Sequence, residues 1–75
     1  MAKLPMVSGA EAVRAFRKAG FVLERVEGSH HILKKPGHRF ALSVPEHGNR
    51  PLKPGMLRGL IAAAGLTVEE FRALQ

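Results

Sequence analysis

A chain of 75 residues that contains no cysteine has to fold by packing alone. Disulfides, the usual staples of a small domain, are excluded, and so are thiolate metal sites and a thiol nucleophile. A chain this short buries only ~60% of the surface that it exposes when unfolded, so it can hold one modest core and no deep cleft. We therefore expect a single domain over residues 1–75 with a shallow active or binding site. Hydrophobic residues at 45% and charged residues at 24% are the balance of a folded chain, not a disordered one.

Local signals divide the chain into six elements. Ser8-Gly9-Ala10-Glu11 reads as a capping box that starts a helix, with Ala12, Val13, Phe16 and Ala19 on its apolar side and Gly20 as the residue that ends it. Phe21 to Val26 is rich in strand formers, although it does not alternate cleanly. Gly28-Ser29 interrupts it, and Ser29 to Lys34 predicts a second strand. Lys35-Pro36-Gly37-His38 has the residues of a type II turn. Arg39 to Val44 predicts a third strand, with Phe40, Leu42 and Val44 sharing its covered face. The segment Pro45 to Pro54, with three prolines and a glycine, is a loop. Pro54 then suits the first turn of a helix whose stripe is Leu57, Leu60, Ile61 and Ala64 and whose end is Gly65. Thr67-Val68-Glu69-Glu70 is a second capping box, with Leu66 and Phe71 placed as a hydrophobic staple.

The expected class is α+β, in the order α-β-β-β-α with a short C-terminal helix added. The helices should cover one face of a three-stranded antiparallel sheet. No apolar run approaches the ~20 residues that span a bilayer, and no secretory h-region opens the chain, so the expectation is a cytoplasmic protein with no membrane partner.

Charge points to a partner. The formal net charge is +6, and the stretch from Gly28 to Arg58 carries +5 of it: Lys34, Lys35, Arg39, Arg50, Lys53 and Arg58 against the single acid Glu46. Such an excess suits a polyanion, although a basic stretch can also be only a solvated face. The four histidines are not spaced as metal ligands and have no cysteine beside them, so we expect neither a metal nor any other cofactor. Taken singly, a histidine is more often a packing or surface group than a catalyst. His38, in a tight turn, is expected to be solvated. His47, in the proline-rich loop, either braces the backbone or touches a phosphate.

The α-β-β-β-α layering resembles that of the double-stranded RNA-binding domain. A sharper resemblance lies in Gly28-Ser29-His30-His31-Ile32, Val44-Pro45-Glu46-His47, Leu52-Lys53-Pro54-Gly55-Met56-Leu57-Arg58 and Ala64-Gly65-Leu66. In this order and spacing they resemble the HicA (YcfA-like) toxin family, over about Phe16 to Phe71. That resemblance implies a ribosome-independent endoribonuclease, an mRNA interferase, held in check by a HicB-type antitoxin. It also implies that the catalytic histidine is the one after Gly-Ser, His30. Some members carry the histidine one place later, where His31 stands, so His31 remains a candidate behind His30.

The chemistry agrees with a histidine. Cleavage of RNA through its own 2′-OH needs a group that takes a proton near neutral pH, and imidazole, with an unperturbed pKa of ~6.5, does so. Cations must also meet the charge that develops on phosphate, and the available pool is Lys34, Lys35, Arg39, Lys53 and Arg58. Gly28 is expected to supply a turn conformation next to Ser29. Adjacent strand residues face opposite sides, so His30 and His31 cannot both reach one phosphate. A two-histidine acid/base pair would need His47 or His38. The other function class is a non-catalytic RNA-binding module using the same basic surface.

Overall fold

The structure is a computed structural model that describes residues 3–75. Its elements are α1 (Gly9–Lys18), β1 (Val22–Glu27), β2 (His30–Lys34), β3 (Leu42–Pro45), α2 (Pro54–Ala63) and α3 (Val68–Ala73). The strands form one antiparallel sheet in the order β1-β2-β3.

Local chemistry sets the helix ends. At α1 the Glu11 amide donates to Ser8 Oγ (3.2 Å) and the Ser8 amide donates to the Glu11 carboxylate (2.8 Å), which satisfies two amides that a helix start would otherwise orphan. Thr67 and Glu70 repeat the arrangement at α3. Both α1 and α2 end in a Schellman motif: Gly20 and Gly65 take positive φ, and Phe21 and Leu66 donate back to Phe16 and Ile61. The predicted helices and turn signals are all present, including the Pro36-Gly37 turn closed by the bond from the His38 amide to the Lys35 carbonyl (3.0 Å).

The core lies between the helices and one face of the sheet. Leu33, Leu42 and Val44 are buried there with Phe16, Leu57, Ile61 and Phe71. Both α1 and α2 pack on β3. The rings of Phe16 and Phe71 sit 5.1 Å apart, and Phe21 meets Phe16 edge-on at 6.2 Å. Phe21 therefore belongs to the core but precedes β1, because the Schellman bond holds it against the end of α1.

The strand expected from Arg39 to Val44 needs correction. β3 begins at Leu42, not Arg39, and Phe40 is 55% exposed instead of sharing the covered face. Its ladder partner β2 ends at Lys34, and Leu33 already pairs with Leu42, so Arg39 and Phe40 have no strand to pair with. β1 has an irregularity between Leu23 and Arg25, which explains the missing alternation in the sequence: Val22 and Val26 are both exposed.

β1 and β2 are joined by the two-residue turn Gly28-Ser29, between the paired residues Glu27 and His30. Gly28 has φ +59 and Ser29 does not have a positive φ, the sign pattern of a type II′ hairpin turn. Beyond its chain neighbours, no atom lies within 4 Å of a Cβ built on Gly28, so glycine is required here by the backbone conformation alone.

Candidate functional site

Antiparallel pairing decides where the two adjacent histidines go. His31 pairs with Val44 and Leu33 with Leu42, on the helix-covered face. His30 and Ile32 take the opposite, open face, as does Ser43. The His30 ring is tied there: its Nδ1 lies 3.1 Å from Ser43 Oγ. The sequence had not singled out Ser43, because the diagonal between it and His30 exists only once the β2–β3 register is set.

At the end of the sheet His30 borders a groove of about 370 Å³, which is also lined by Pro45, His47, Arg50, Lys53 and Met56. The groove thus gathers two histidines and two cations with no carboxylate among its lining residues. Three turns of chain bring them together: the Gly28-Ser29 hairpin places His30, the loop after β3 supplies His47 and Arg50, and the start of α2 supplies Lys53 and Met56. The loop is fastened at its far end where the Leu52 amide donates to the Val7 carbonyl (2.8 Å), beside the Ser8–Pro51 bridge.

α2 begins differently from α1 and α3. Its N-cap is Lys53, which makes no side-chain bond to the first turn, and no acidic residue follows. The partial positive charge of the helix start is therefore uncompensated by protein side chains where it meets the groove.

Of the five cations expected to hold phosphate, the structure brings one, Lys53, to the His30 groove. Arg58 lines a neighbouring trough of about 620 Å³ that shares Pro51, Leu52 and Lys53 with it. Lys34 is engaged by Glu24 at 3.2 Å. It also lies at the other end of β2, ~13 Å from His30 at the usual rise per residue. Lys35 lies against the Phe21 ring, and Arg39 against Phe40, both past that far end. The open face of β1 is charge-compensated as well. The hydrogen bond and charge of Glu27, then Glu24, hold Arg25 above the ordinary guanidinium range. Arg50, which the motif reading passed over, takes the place of these distant cations. It stands in a loop with no periodic pattern, so only the closure of that loop on the sheet reveals it.

The remaining histidines separate cleanly. His31 Nε2 is 2.9 Å from Glu46 Oε2 beneath the sheet. His38 is not simply solvated, as its turn position suggested. Its Nε2 lies 2.6 Å from the Ala63 carbonyl and its ring meets Phe21 edge-on at 5.3 Å, so it braces the end of α2. That leaves His47 as the histidine that shares the groove with His30. Among the described residues, no three His, Asp or Glu side chains gather where they could hold a metal ion, and no helix is long and apolar enough to cross a membrane.

The family model described as HicA toxin of bacterial toxin-antitoxin matches residues 9–66, which contain every groove residue named above. No curated protein matches the chain.

Proposed function

The chain belongs to the HicA toxin family of bacterial toxin-antitoxin systems, and we propose that it is an endoribonuclease that cleaves mRNA with His30 as its general acid/base. The observation that carries this reading is the His30 groove itself: a second histidine, Arg50 and Lys53 stand beside a ring already oriented by Ser43, and no residue lining the groove is a carboxylate.

The residues divide the work as follows. With Nδ1–H donated to Ser43 Oγ, His30 keeps a lone pair on Nε2, and that nitrogen takes the proton from a ribose 2′-OH. The 2′-oxygen attacks the adjacent phosphorus, and the bond to the 5′-oxygen of the next nucleotide breaks. His47 returns a proton to that leaving oxygen. Arg50, Lys53 and the uncapped start of α2 meet the negative charge that grows on the phosphate oxygens. The groove is open and suits an unpaired strand, whose sugar-phosphate backbone can be laid along it.

Membership in the family implies an antitoxin partner. We place that partner over the same groove. A domain of this size cannot enclose His30, so a surface that supplies carboxylates to Arg50 and Lys53 is the direct way to silence it.

The test is cleavage of a single-stranded RNA by the purified protein in the presence of a chelator. His30→Ala should keep the fold and lose ~10²-fold or more in rate, as removal of a general acid/base does. A His30→Ala protein that cleaves like the parent rejects the assignment. A parent that binds RNA without cutting it would make the domain a non-catalytic RNA-binding module.

A further inference from the structure

Neither His31 nor Glu46 takes part in the reaction just described, yet they form the polar contact between β2 and the start of the groove loop. His31 Nε2 and Glu46 Oε2 are 2.9 Å apart, with side chains 20% and 33% exposed. The other ring nitrogen, His31 Nδ1, is buried without a hydrogen-bond partner, so Glu46 is the polar anchor of this ring. Leaving a buried imidazole nitrogen unpaired is costly, and the chain tolerates it here. The ring is therefore held by its bond to Glu46 and by its packing position opposite Val44.

Glu46 is fastened twice. Its amide donates to the Ser29 carbonyl at 2.8 Å, extending the β2–β3 ladder by one bond, and its carboxylate holds His31. The next residue is His47, where the chain leaves the sheet. Until Pro51 bridges to Ser8, the loop's backbone bond is internal, from the Arg50 amide to the His47 carbonyl at 3.3 Å. Each member of the pair is thus the chain neighbour of a groove histidine: His31 follows His30, and Glu46 precedes His47.

We propose that the His31–Glu46 pair is a latch beneath the sheet that positions His47 and Arg50 against His30. Its members are positioning residues and touch no substrate. The role in catalysis rests on the reading of the groove as an RNA-cleaving site, whereas the latch itself is a property of the loop. Without it the loop is tied at the Pro51 end and by one backbone bond at Ser29. His47 and Arg50 then sample positions away from His30 while every groove side chain is still present. A substitution at His31 should then lower activity although its ring is on the wrong face to reach the phosphate.

The experiment compares Glu46→Ala, Glu46→Gln and His31→Ala with the parent. Gln keeps an oxygen that accepts from Nε2–H, whereas Ala does not. Amide hydrogen exchange reads the loop directly: the Arg50 amide should exchange about tenfold faster in Glu46→Ala and His31→Ala, the size expected for one lost hydrogen bond, while the Leu52 amide, bonded to Val7 at the end that stays tied, should keep its parental rate. The Arg50 amide should match the parent in Glu46→Gln, and the α2 amides should be unchanged in all three. Cleavage of single-stranded RNA should follow the same order, with kcat reduced in both Ala variants and restored in Glu46→Gln. Unchanged loop exchange in Glu46→Ala overturns the latch, whether or not the parent cleaves RNA. A loosened loop with parental kcat overturns its positioning role. Parental exchange in His31→Ala combined with loss of cleavage would put His31 among the reacting groups. Absence of cleavage by the parent would reject the ribonuclease reading and leave the exchange result to decide the latch.

Discussion

Replacing Gly9 by alanine tests the packing of α1 on the sheet, because helix propensity and packing give opposite signs. Gly9 is the first residue of α1, and alanine is favoured over glycine in a helix by up to ~1 kcal/mol. A Cβ at Gly9, however, would overlap the Pro45 carbonyl oxygen and stand 2.9 Å from Glu46 Cα. Both are backbone atoms at the end of β3, so no side chain can swing aside. Overpacking against a fixed wall costs ~1–3 kcal/mol, and a backbone wall belongs in the upper part of that range. Subtracting the helix preference leaves a net loss of about 1–2 kcal/mol, or roughly 4–16 °C in Tm for a domain of this length. Gly59→Ala is the matched control: it sits within α2, exposed, with no atom within 4 Å of a new Cβ. There the same substitution should stabilise by ~0.5–1 kcal/mol. Urea unfolding of the three proteins, followed by circular dichroism, gives both differences. A Gly9→Ala protein as stable as the parent would mean that α1 does not abut β3 as described.

Three further outcomes follow from the site and its surroundings. Lys53→Ala and Arg50→Ala should each reduce the slope of log affinity against log salt for single-stranded RNA by ~0.7, while Lys35→Ala should leave it alone; equal effects from all three would dissolve the distinction between groove and remote cations. Bonds from Ser8, the backbone one foremost, lower the Glu11 carboxyl below its ordinary value. A folded pKa below the unfolded one stabilises fully above the unfolded value and is lost as pH falls through the folded one, so the stability gap between parent and Glu11→Gln should close in acid; a constant gap from neutral to strongly acid solution refutes the charged cap. His38→Ala should cost ~1–2 kcal/mol by removing the bond to Ala63 and an aromatic contact, with RNA affinity unchanged; a weakened affinity at parental stability would show that His38 reaches substrate.

The helices were legible because their signals are local. A capping box joins residues three apart, and a Schellman glycine acts within one turn, so Ser8, Gly20, Gly65 and Thr67 announce themselves without a fold. Strand extent is a property of two segments, and Phe40 shows this: it continues the spacing of Leu42 and Val44 in the sequence, but β2 ends before it could be paired and its ring stays exposed. The groove divides in the same way. His30 stands in a contiguous motif that the sequence displays by itself. Lys34 and Lys35 lie near it in sequence, but the direction of β2 carries them to the other end of the sheet. Arg50 and Ser43 come from segments distant in sequence and meet His30 only through the β2–β3 register and the closure of the loop.

The two-residue turn at Gly28-Ser29 and the burial of Leu33 together index His30 by parity. Leu33 must face the helices, so His30, three positions before it, must face away. A one-residue insertion between them would turn the imidazole at position 30 toward the core without changing any side chain of the groove. A two-residue insertion would restore the face but displace the ring by about 7 Å along the strand. The site can therefore move along this strand in double steps and not in single ones, unless a bulge absorbs the odd residue. β1 already contains such an irregularity between Leu23 and Arg25, opposite β2. A comparable bulge between His31 and Leu33 would bring the second histidine to the open face, giving a lineage with the histidine one place later a route to the same groove without rebuilding its core.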